Sequence, residues 1–526
     1  MDSPVDYLIL GSGLSALAFS SLMAQSGKSV KILEAHEHIG GYGHTFNVGE
    51  IRFNAQFHYV ISCGEGGIVN KFLKRLGLEN EVKFNQLNQE GYDRVYCGDK
   101  ELKIPHGLEN LRGNLLKICP EAGASINKFI EILIAFREGM NALPEHFNQL
   151  GESLKNIRDF IVMFKYYSST LQEVFDVCKL PKILQTLVAG QMINYMLPPK
   201  ELSFLAWALL FNGYSKGAFY PEKHFEHVIN SLTKVIIDHG GSFCLNEQVV
   251  SFIIEGKSVK GVYTRNVDPK TGLCYGPRKA HYGKEVICNF DPKTAANMIG
   301  MNKFSYRVKR ALDYDYSWSS FVLYGAVKGL NLREYGFGNW NIWHCPEDLN
   351  ATIDTMYHHG DYSKPYFVMN CPSYYSEDTS HCKKEDALKF EMLTMANYEY
   401  WHELKLRNHR AYYRRKEEVL NNILDVVEKH YVPNIRNYLV LKMIGTPTSS
   451  ERFAWAPKGG SYGVNLTPRN FALTRKLTAY TSLKNFHFCS AASGFGGFAG
   501  AIYTGSTLHE KLLKDSYTSG SRKSHI

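Results

Sequence analysis

The sequence predicts an α/β protein whose parallel sheet is assembled from distant parts of the 526-residue chain. Three segments carry this prediction. An apolar run at residues 7–10 leads into a glycine-rich turn and a helical pattern, KEVICNF at residues 284–290 is typical of a buried strand, and NFHFCSAASGFGG at residues 485–497 gives a strand and a second glycine turn. Short apolar runs of this kind are typical of parallel strands buried on both faces. The length predicts two or three domains.

The first glycine-rich turn has the spacing of a dinucleotide-binding site. Gly11 permits a tight turn after the strand, Gly13 lets the backbone approach a pyrophosphate, and Ala16 lets the following helix pack on the strand. The first amides and the dipole of that helix face the phosphates. These amides belong to Leu14 and Ser15. A purely structural turn is the alternative, which the order of strand, helix, second strand and acid disfavours.

The second strand, predicted at residues 29–33, ends at an acidic residue, Glu34, followed by Ala35. The Glu34 carboxylate can accept hydrogen bonds from an adenosine ribose, whereas a 2′-phosphate would be repelled there. NADP is therefore disfavoured at this site, while FAD and NAD both satisfy the contacts. Gly40 and Gly41 follow directly, and such a pair favours FAD, as in enzymes of the glutathione-reductase-like fold.

Composition indicates a globular enzyme in a reducing compartment. Hydrophobic residues make up 44% of the chain and charged residues 21%, and the net charge of +9 is spread along it, so nucleic-acid binding is only weakly supported. An anionic membrane surface could use this charge, although solvated faces explain it as well. The eleven cysteines form no C-x-x-C pair, which favours reduced thiols and does not indicate a metal site.

Neither a signal peptide nor a transmembrane helix is expected. The N-terminus lacks a basic and apolar leader, and the longest apolar run, at residues 202–211, is too short to span a bilayer. We therefore expect a cytoplasmic protein.

Residues 107–210 look mainly helical. The predicted nucleotide-binding domain comprises residues 1–95, 222–300 and 440–515. The predicted substrate domain comprises residues 96–221 and 301–439. Residues 516–526 are predicted to form a polar, disordered tail.

Six motifs along the chain resemble the phytoene desaturase, carotenoid isomerase and retinol saturase family of FAD-dependent oxidoreductases. The first two, GGYGHTF and FNAQFHYV, are most similar to retinol saturases. Together the motifs extend over nearly the whole chain. They are GGYGHTF (residues 40–46), FNAQFHYV (53–60), GAFYP (217–221), VVSFIIEGKSVKGV (249–262), TPTSSERFAWAPKGGSYG (446–463) and GFAGAIYTG (497–505).

The resemblance implies a glutathione-reductase-like FAD-binding Rossmann domain with an interleaved α+β substrate domain. It implies reduction of a carbon–carbon double bond in a conjugated polyene or isoprenoid lipid, with carotenoid cis–trans isomerisation and phytoene-type desaturation as alternatives. Electrons would come from NAD(P)H, bound transiently, or from a separate partner; the oligomeric state stays open. The further FAD contacts it implies are His44, Thr45, Val249, Gly497, Gly500 and Ala501.

His58 and Tyr59 are the predicted catalytic residues, because the resemblance places them near the flavin ring and saturation of a double bond requires a proton donor. In a strand-like run, their side chains would point to opposite faces. A structural role is the alternative for each, as it is for the pocket tyrosines Tyr214, Tyr220 and Tyr462.

Two departures from the family pattern bear on function. Ala492 stands where an acidic residue usually meets the flavin ribityl chain, and residues 54–56 replace the acid and Thr-Gly of retinol saturases. A different class of function therefore stays in view, a non-catalytic prenyl-lipid-binding protein of the Rab GDP-dissociation-inhibitor type. The intact Gly11, Gly13 and Glu34 argue against it. Helical stretches such as NKFIEILIAFREGM at residues 127–140 also predict peripheral contact with a membrane.

Overall fold

A computed structural model describes residues 3–56, 58–141, 157–376, 387–471 and 477–521. The strands in these ranges are β1 (Val5–Leu10), β2 (Val30–Leu33), β3 (Thr45–Val48), β4 (Ile51–Asn54), β5 (Val60–Ile61), β6 (Phe84–Gln86), β7 (Asp93–Cys97), β8 (Lys100–Ile104), β9 (Ala218–Pro221), β10 (Ser242–Cys244), β11 (Glu247–Glu255), β12 (Ser258–Val267), β13 (Cys274–Cys288), β14 (Ser319–Lys328), β15 (Asn341–Cys345), β16 (Phe367–Asn370), β17 (Ala387–Ala396), β18 (Leu439–Gly445) and β19 (Phe486–Phe488).

The α-helices of the same ranges are α1 (Leu14–Gln25), α2 (Ile68–Leu76), α3 (Leu108–Ile118), α4 (Gly123–Asn141), α5 (Ile157–Lys165), α6 (Leu171–Cys178), α7 (Lys182–Val188), α8 (Phe204–Lys216), α9 (Phe225–Asp238), α10 (Pro292–Ile299), α11 (Tyr306–Leu312), α12 (Leu349–His359), α13 (Tyr398–Arg407), α14 (His409–His430), α15 (Pro447–Ala454), α16 (Pro468–Phe471) and α17 (Gly497–Ser521).

The first large sheet has the order β10-β2-β1-β13-β12-β11, and β19 also pairs with β13. The strands β10, β2, β1 and β19 and the end of β13 are parallel. The beginning of β13 pairs antiparallel with β12, which pairs antiparallel with β11. The 15-residue strand β13 therefore joins a Rossmann sheet to an antiparallel meander. The predicted α/β class and Rossmann architecture are confirmed.

A second sheet, drawn mainly from the predicted substrate domain, has the order β18-β14-β17-β16-β15-β7-β8. Its described pairs are antiparallel except for β7 with β15. Nearly every residue of β14 and β17 is buried, because the sheet is covered on both faces. Helices α3 to α8 lie in the region predicted to be helical, and α4 packs against α3, α5, α6 and α8.

Two predicted domain boundaries are wrong. Strand β7 lies in the second sheet, so the boundary at residue 95 cuts a strand. Strand β18 pairs with β14, so residues 440–445 belong to the substrate sheet rather than to the nucleotide domain. The sequence of a short strand does not indicate which sheet it joins, because the strands of both sheets contain the same types of apolar residue.

The predicted C-terminal tail is also partly wrong. Helix α17 continues to Ser521, so residues 516–521 are helical rather than disordered, and residues 522–526 lie outside the described range. Within the described part of the chain, ten cysteines are free. None of the helices there is both long and apolar enough to cross a bilayer.

Candidate active site

The turn between β1 and α1 is built as the glycine spacing predicts. Gly11 has a φ of +102°, a conformation that favours glycine. The Gly13 amide donates to Asn289 Oδ1 at 2.8 Å, and a Cβ atom added to Gly13 would lie 2.6 Å from that oxygen. Helix α1 has no capping side chain at its N-cap residue, so its first turn is suited to an anion.

The glycine pair approaches this turn closely. Gly40 and Gly41 have φ values of +117° and +55°, and a Cβ atom on Gly41 would lie 3.2 Å from Gly13 Cα. Two backbone segments thus meet where any side chain would fill the space between them. The geometry fits a dinucleotide whose diphosphate must pass close to the backbone, as in FAD.

Glu34 is held rigidly at the end of β2. Its Oε2 atom accepts hydrogen bonds from the Ser12 amide (2.7 Å) and hydroxyl (2.6 Å), and its Oε1 atom accepts one from the His36 amide (2.8 Å). Burial raises the pKa of Glu34, although these donors oppose the shift. The carboxylate lines the cavity described below, so the predicted ribose contact fits its position and stays a prediction.

Asn289 is a structural residue of the site that sequence reasoning missed. Besides accepting from Gly13, its side-chain amide donates to Ser15 Oγ (2.9 Å) and to the Cys489 carbonyl. It therefore joins the ends of β13 and β19 to the first turn of α1. Its position in the sequence could have indicated a site residue. Asn289 directly follows a buried parallel strand, at the edge of the sheet where ligands bind.

The third side of the nucleotide site is the turn before α17. Gly497, with a φ of +74°, begins this helix, and Thr504 Oγ1 accepts from the Phe495 amide (3.0 Å) and donates to the Gly500 carbonyl (2.8 Å). The turn is thereby fixed against its own helix. Ala492 also lines the cavity, so a methyl group stands where the family pattern has an acid.

One cavity of about 950 Å³ brings the predicted site residues together. Ala16 and Thr45 do not line it; Ala16 is fully buried between helix and sheet, and Thr45 lies in β3, so both support the site from behind. The predicted residues that line the cavity are Gly11, Gly13, Leu14, Ser15, Glu34, Ala35, Gly40, Gly41, His44, His58, Tyr59, Val249, Gly497, Gly500 and Ala501.

The same cavity continues into the substrate domain. Its lining there is apolar and comes from α4, α5, α8 and the segment before α8. Representative side chains are Met140, Met163, Tyr167, Ile193, Leu205 and Leu210. A nucleotide cleft and an apolar chamber are therefore continuous, which is what a long hydrophobic substrate requires.

His44 has a structural role in the described geometry. Its Nδ1 atom lies 2.5 Å from the Gly41 carbonyl, which can only accept, so the ring donates there. Burial lowers the pKa of His44 and favours the neutral ring. His44 thus fixes the glycine pair, and this geometry favours the structural alternative over an acid–base role.

His58 and Tyr59 lie in the loop between β4 and β5, so the strand alternation expected for them is wrong. Both side chains line the cavity. His58 Nδ1 lies 2.9 Å from Glu391 Oε2, and the buried Nε2 atom has no hydrogen-bond partner among the described residues. In this orientation the Nε2 atom of His58 is free to exchange a proton with a bound molecule.

Tyr59 is committed to a buried network instead. Its hydroxyl donates to Asp93 Oδ2 (2.9 Å) and accepts from Asn194 (2.6 Å), and its ring stacks on Tyr214. Burial, reinforced by the Asp93 charge, raises the pKa of Tyr59 well above its ordinary value. Burial also raises the pKa of Asp93 to about 6. Tyr59 is therefore a weaker proton-donor candidate than His58.

Three comparisons show which known proteins this chain is similar to. Residues 9–76 match the family model of the NAD(P)-binding Rossmann-like domain. The all-trans-retinol 13,14-reductase of Danio rerio is 24% identical, over 97% of this chain and 86% of that protein. The 4,4′-diapophytoene desaturase of Methylomonas sp is 21% identical, over 97% of this chain and 95% of the relative.

Over nearly its whole length the chain is similar to relatives of the phytoene desaturase, carotenoid isomerase and retinol saturase family. The chain is an oxidoreductase. A solved oxidoreductase from Methanosarcina mazei superposes with a TM-score of 0.64 at 14% identity, covering 96% of this chain and all of that one. At that identity the superposition shows a shared fold.

Proposed function

We propose that the protein binds FAD across the β1–α1 turn and reduces a carbon–carbon double bond of a retinoid, carotenoid or related isoprenoid lipid. Bound FAD supplies the hydride chemistry of such a reduction. NAD(P)H or a separate reductase is the proposed source of electrons. The observation that carries the proposal is the single cavity, which joins the nucleotide-binding turns to the apolar chamber.

The chain's own residues have separate tasks in this proposal. The first turn of α1 binds the diphosphate, and Glu34 orients the ribose. The walls formed by α4, α5 and α8 bind the polyene and exclude water from it. His58 holds a proton at Nε2, which faces no competing acceptor among the described residues. The relatives that reduce retinol and desaturate diapophytoene support a polyene substrate.

The experiment that tests this function begins with the absorbance spectrum of the purified protein, which should show bound flavin. The photoreduced protein is then mixed anaerobically with all-trans-retinol or an acyclic carotene, and the products are analysed by mass spectrometry. A product heavier by two hydrogens supports the reductase. An isomer of unchanged mass, or a product lighter by two hydrogens formed by oxidised protein, would replace it with the isomerase or the desaturase. Absence of flavin would favour the non-catalytic prenyl-lipid-binding alternative.

We also propose that the protein is cytoplasmic and docks on a membrane at the mouth of the apolar chamber. Helix α5 exposes Ile161 and Phe164, whose exposed fractions are 60% and 65%, and Phe164 and Met163 both line the cavity. Lys165 adds a positive charge beside them. Exposed apolar side chains at a cavity entrance can enter a bilayer surface and admit a lipid directly.

We expect replacement of Ile161 and Phe164 by serine to lower the fraction of protein that floats with anionic vesicles by about tenfold, because two apolar side chains no longer leave water. Flotation on phosphatidylserine-containing vesicles measures it. The matched control is Leu273→Ser, since Leu273 is 70% exposed and does not line the cavity. If wild-type protein stays off these vesicles at low salt, or if both variants float equally, α5 is not a docking element.

A further inference from the structure

A carboxylate lies behind the histidine of the cavity. Glu391 is in the middle of β17, opposite Tyr324 of β14 and Asn370 of β16, and only 4% of its side chain is exposed. Burying a carboxylate is costly unless it is paired. His58 provides the pairing at 2.9 Å, although 333 residues separate the two in the sequence.

We propose that Glu391 is a positioning residue that fixes the tautomer of His58. This inference rests on the proposed function and assigns the control of its proton. An ionised carboxylate only accepts hydrogen bonds, so His58 Nδ1 carries a hydrogen in both protonation states. Nε2 is then the ring atom that exchanges a proton with the cavity.

Three phenols and a thiol near Glu391 are held in their neutral forms. Burial raises the pKa of each phenol above its ordinary value, and the nearby Glu391 charge adds to this effect; burial likewise raises the pKa of the thiol. These groups come from β9, β14 and the segment after β16: Tyr220, Tyr324, Tyr375 and Cys371. Glu391 is therefore the group among these that supplies charge to His58.

The proton step balances simply. The Nε2–H bond of the imidazolium breaks, and a C–H bond forms at one carbon of the substrate double bond. The electron pair of that double bond makes the new C–H bond, and reduced FAD is the two-electron reductant for the neighbouring carbon. His58 is left neutral, with its Nδ1 hydrogen still bonded to Glu391, and takes up a proton again from solvent.

The test measures His58 directly by NMR of protein labelled with ¹⁵N-histidine, with His58→Gln used to assign its signals. Wild-type protein should show the neutral ring with its hydrogen on Nδ1. In Glu391→Gln the neutral His58 ring should be a mixture of its Nδ1–H and Nε2–H tautomers, because an amide can either accept a hydrogen bond from Nδ1 or donate one to it. Glu391→Asp can only accept and should keep the hydrogen on Nδ1.

A matched control comes from a second histidine–carboxylate pair outside the cavity. His487 lies 2.9 Å from Glu285, and neither residue lines the cavity. Glu285→Gln should therefore alter the His487 signals and leave the His58 tautomer unchanged. The same single Nδ1–H tautomer of His58 in wild type and Glu391→Gln would overturn the proposal.

The rate of polyene reduction gives the functional arm. Reduction should be slower in Glu391→Gln and partly recovered in Glu391→Asp, with flavin content unchanged in both. A changed tautomer with an unchanged rate would remove His58 as the proton source. If wild-type protein reduces no polyene, the proposed function fails, while the NMR comparison still decides whether Glu391 controls the His58 proton.

Discussion

Gly13→Val should leave the protein with little or no flavin. The backbone of Gly13, with φ −62° and ψ 162°, is accessible to valine, so the effect is steric rather than conformational. The new Cβ atom would lie 2.6 Å from Asn289 Oδ1, and the two methyl groups would either displace this side chain or fill the diphosphate space. Such crowding costs about 1–3 kcal/mol, which predicts FAD affinity lowered about 10- to 100-fold.

The flavin-to-protein absorbance ratio and a fluorescence titration of apoprotein with FAD measure this effect. Gly113→Val is the matched control, because Gly113 lies in α3 with open space around an added Cβ atom. It should retain its flavin. If Gly13→Val keeps the circular dichroism spectrum and the full flavin content of the wild type, FAD does not bind at the β1–α1 turn.

His58→Gln should slow polyene reduction on the order of 100-fold while flavin stays bound, since this is a typical contribution of a general acid. Glutamine suits this test better than phenylalanine, because it can still donate to the buried Glu391. An apolar replacement would leave that carboxylate unpaired, which costs several kcal/mol and would confuse a folding defect with a catalytic one. Stopped-flow reoxidation of the photoreduced protein by the polyene measures the rate.

Tyr59→Phe serves as the comparison for His58→Gln. The Tyr59 hydroxyl already donates to Asp93 and accepts from Asn194, so its removal should lower stability by about 1–3 kcal/mol and change the rate only a few-fold. A slow Tyr59→Phe protein together with a normal His58→Gln protein would reverse the assignment. Normal rates in both variants would point to water as the proton source.

The nucleotide half of the site could be predicted from sequence because its contacts are mostly made by backbone. A side chain does not fit at several positions of this half, and the presence of glycine there already indicates this in the sequence. These positions are Gly11, Gly13, Gly40 and Gly41. The order of strand, turn and helix around them is local as well. The position of Glu34 could be predicted from the same local order, because Glu34 directly follows β2, the strand after α1.

The substrate half depends on contacts that the sequence does not display. Glu391 and Asp93 lie in different strands of the second sheet, and nothing in their own segments indicates that they meet His58 and Tyr59. The alternating apolar residues around His58 fit a strand as well as a loop, so the sequence pattern alone does not distinguish the two structures. The domain boundaries failed at β7 and β18 because strand pairing partners are chosen by tertiary packing.

The interleaving of the first sheet has a consequence for how the protein is made. Strand β1 and helix α1 are synthesised first, yet β13, which pairs with β1, and α17, which packs on α1, come from the middle and the end of the chain. Part of the apolar surface of α1 therefore stays uncovered until nearly the entire polypeptide has left the ribosome. We expect the segment matched by the Rossmann family model not to fold by itself, and a chain terminated before β19 to expose apolar surface to chaperones and proteases rather than to yield a smaller working domain.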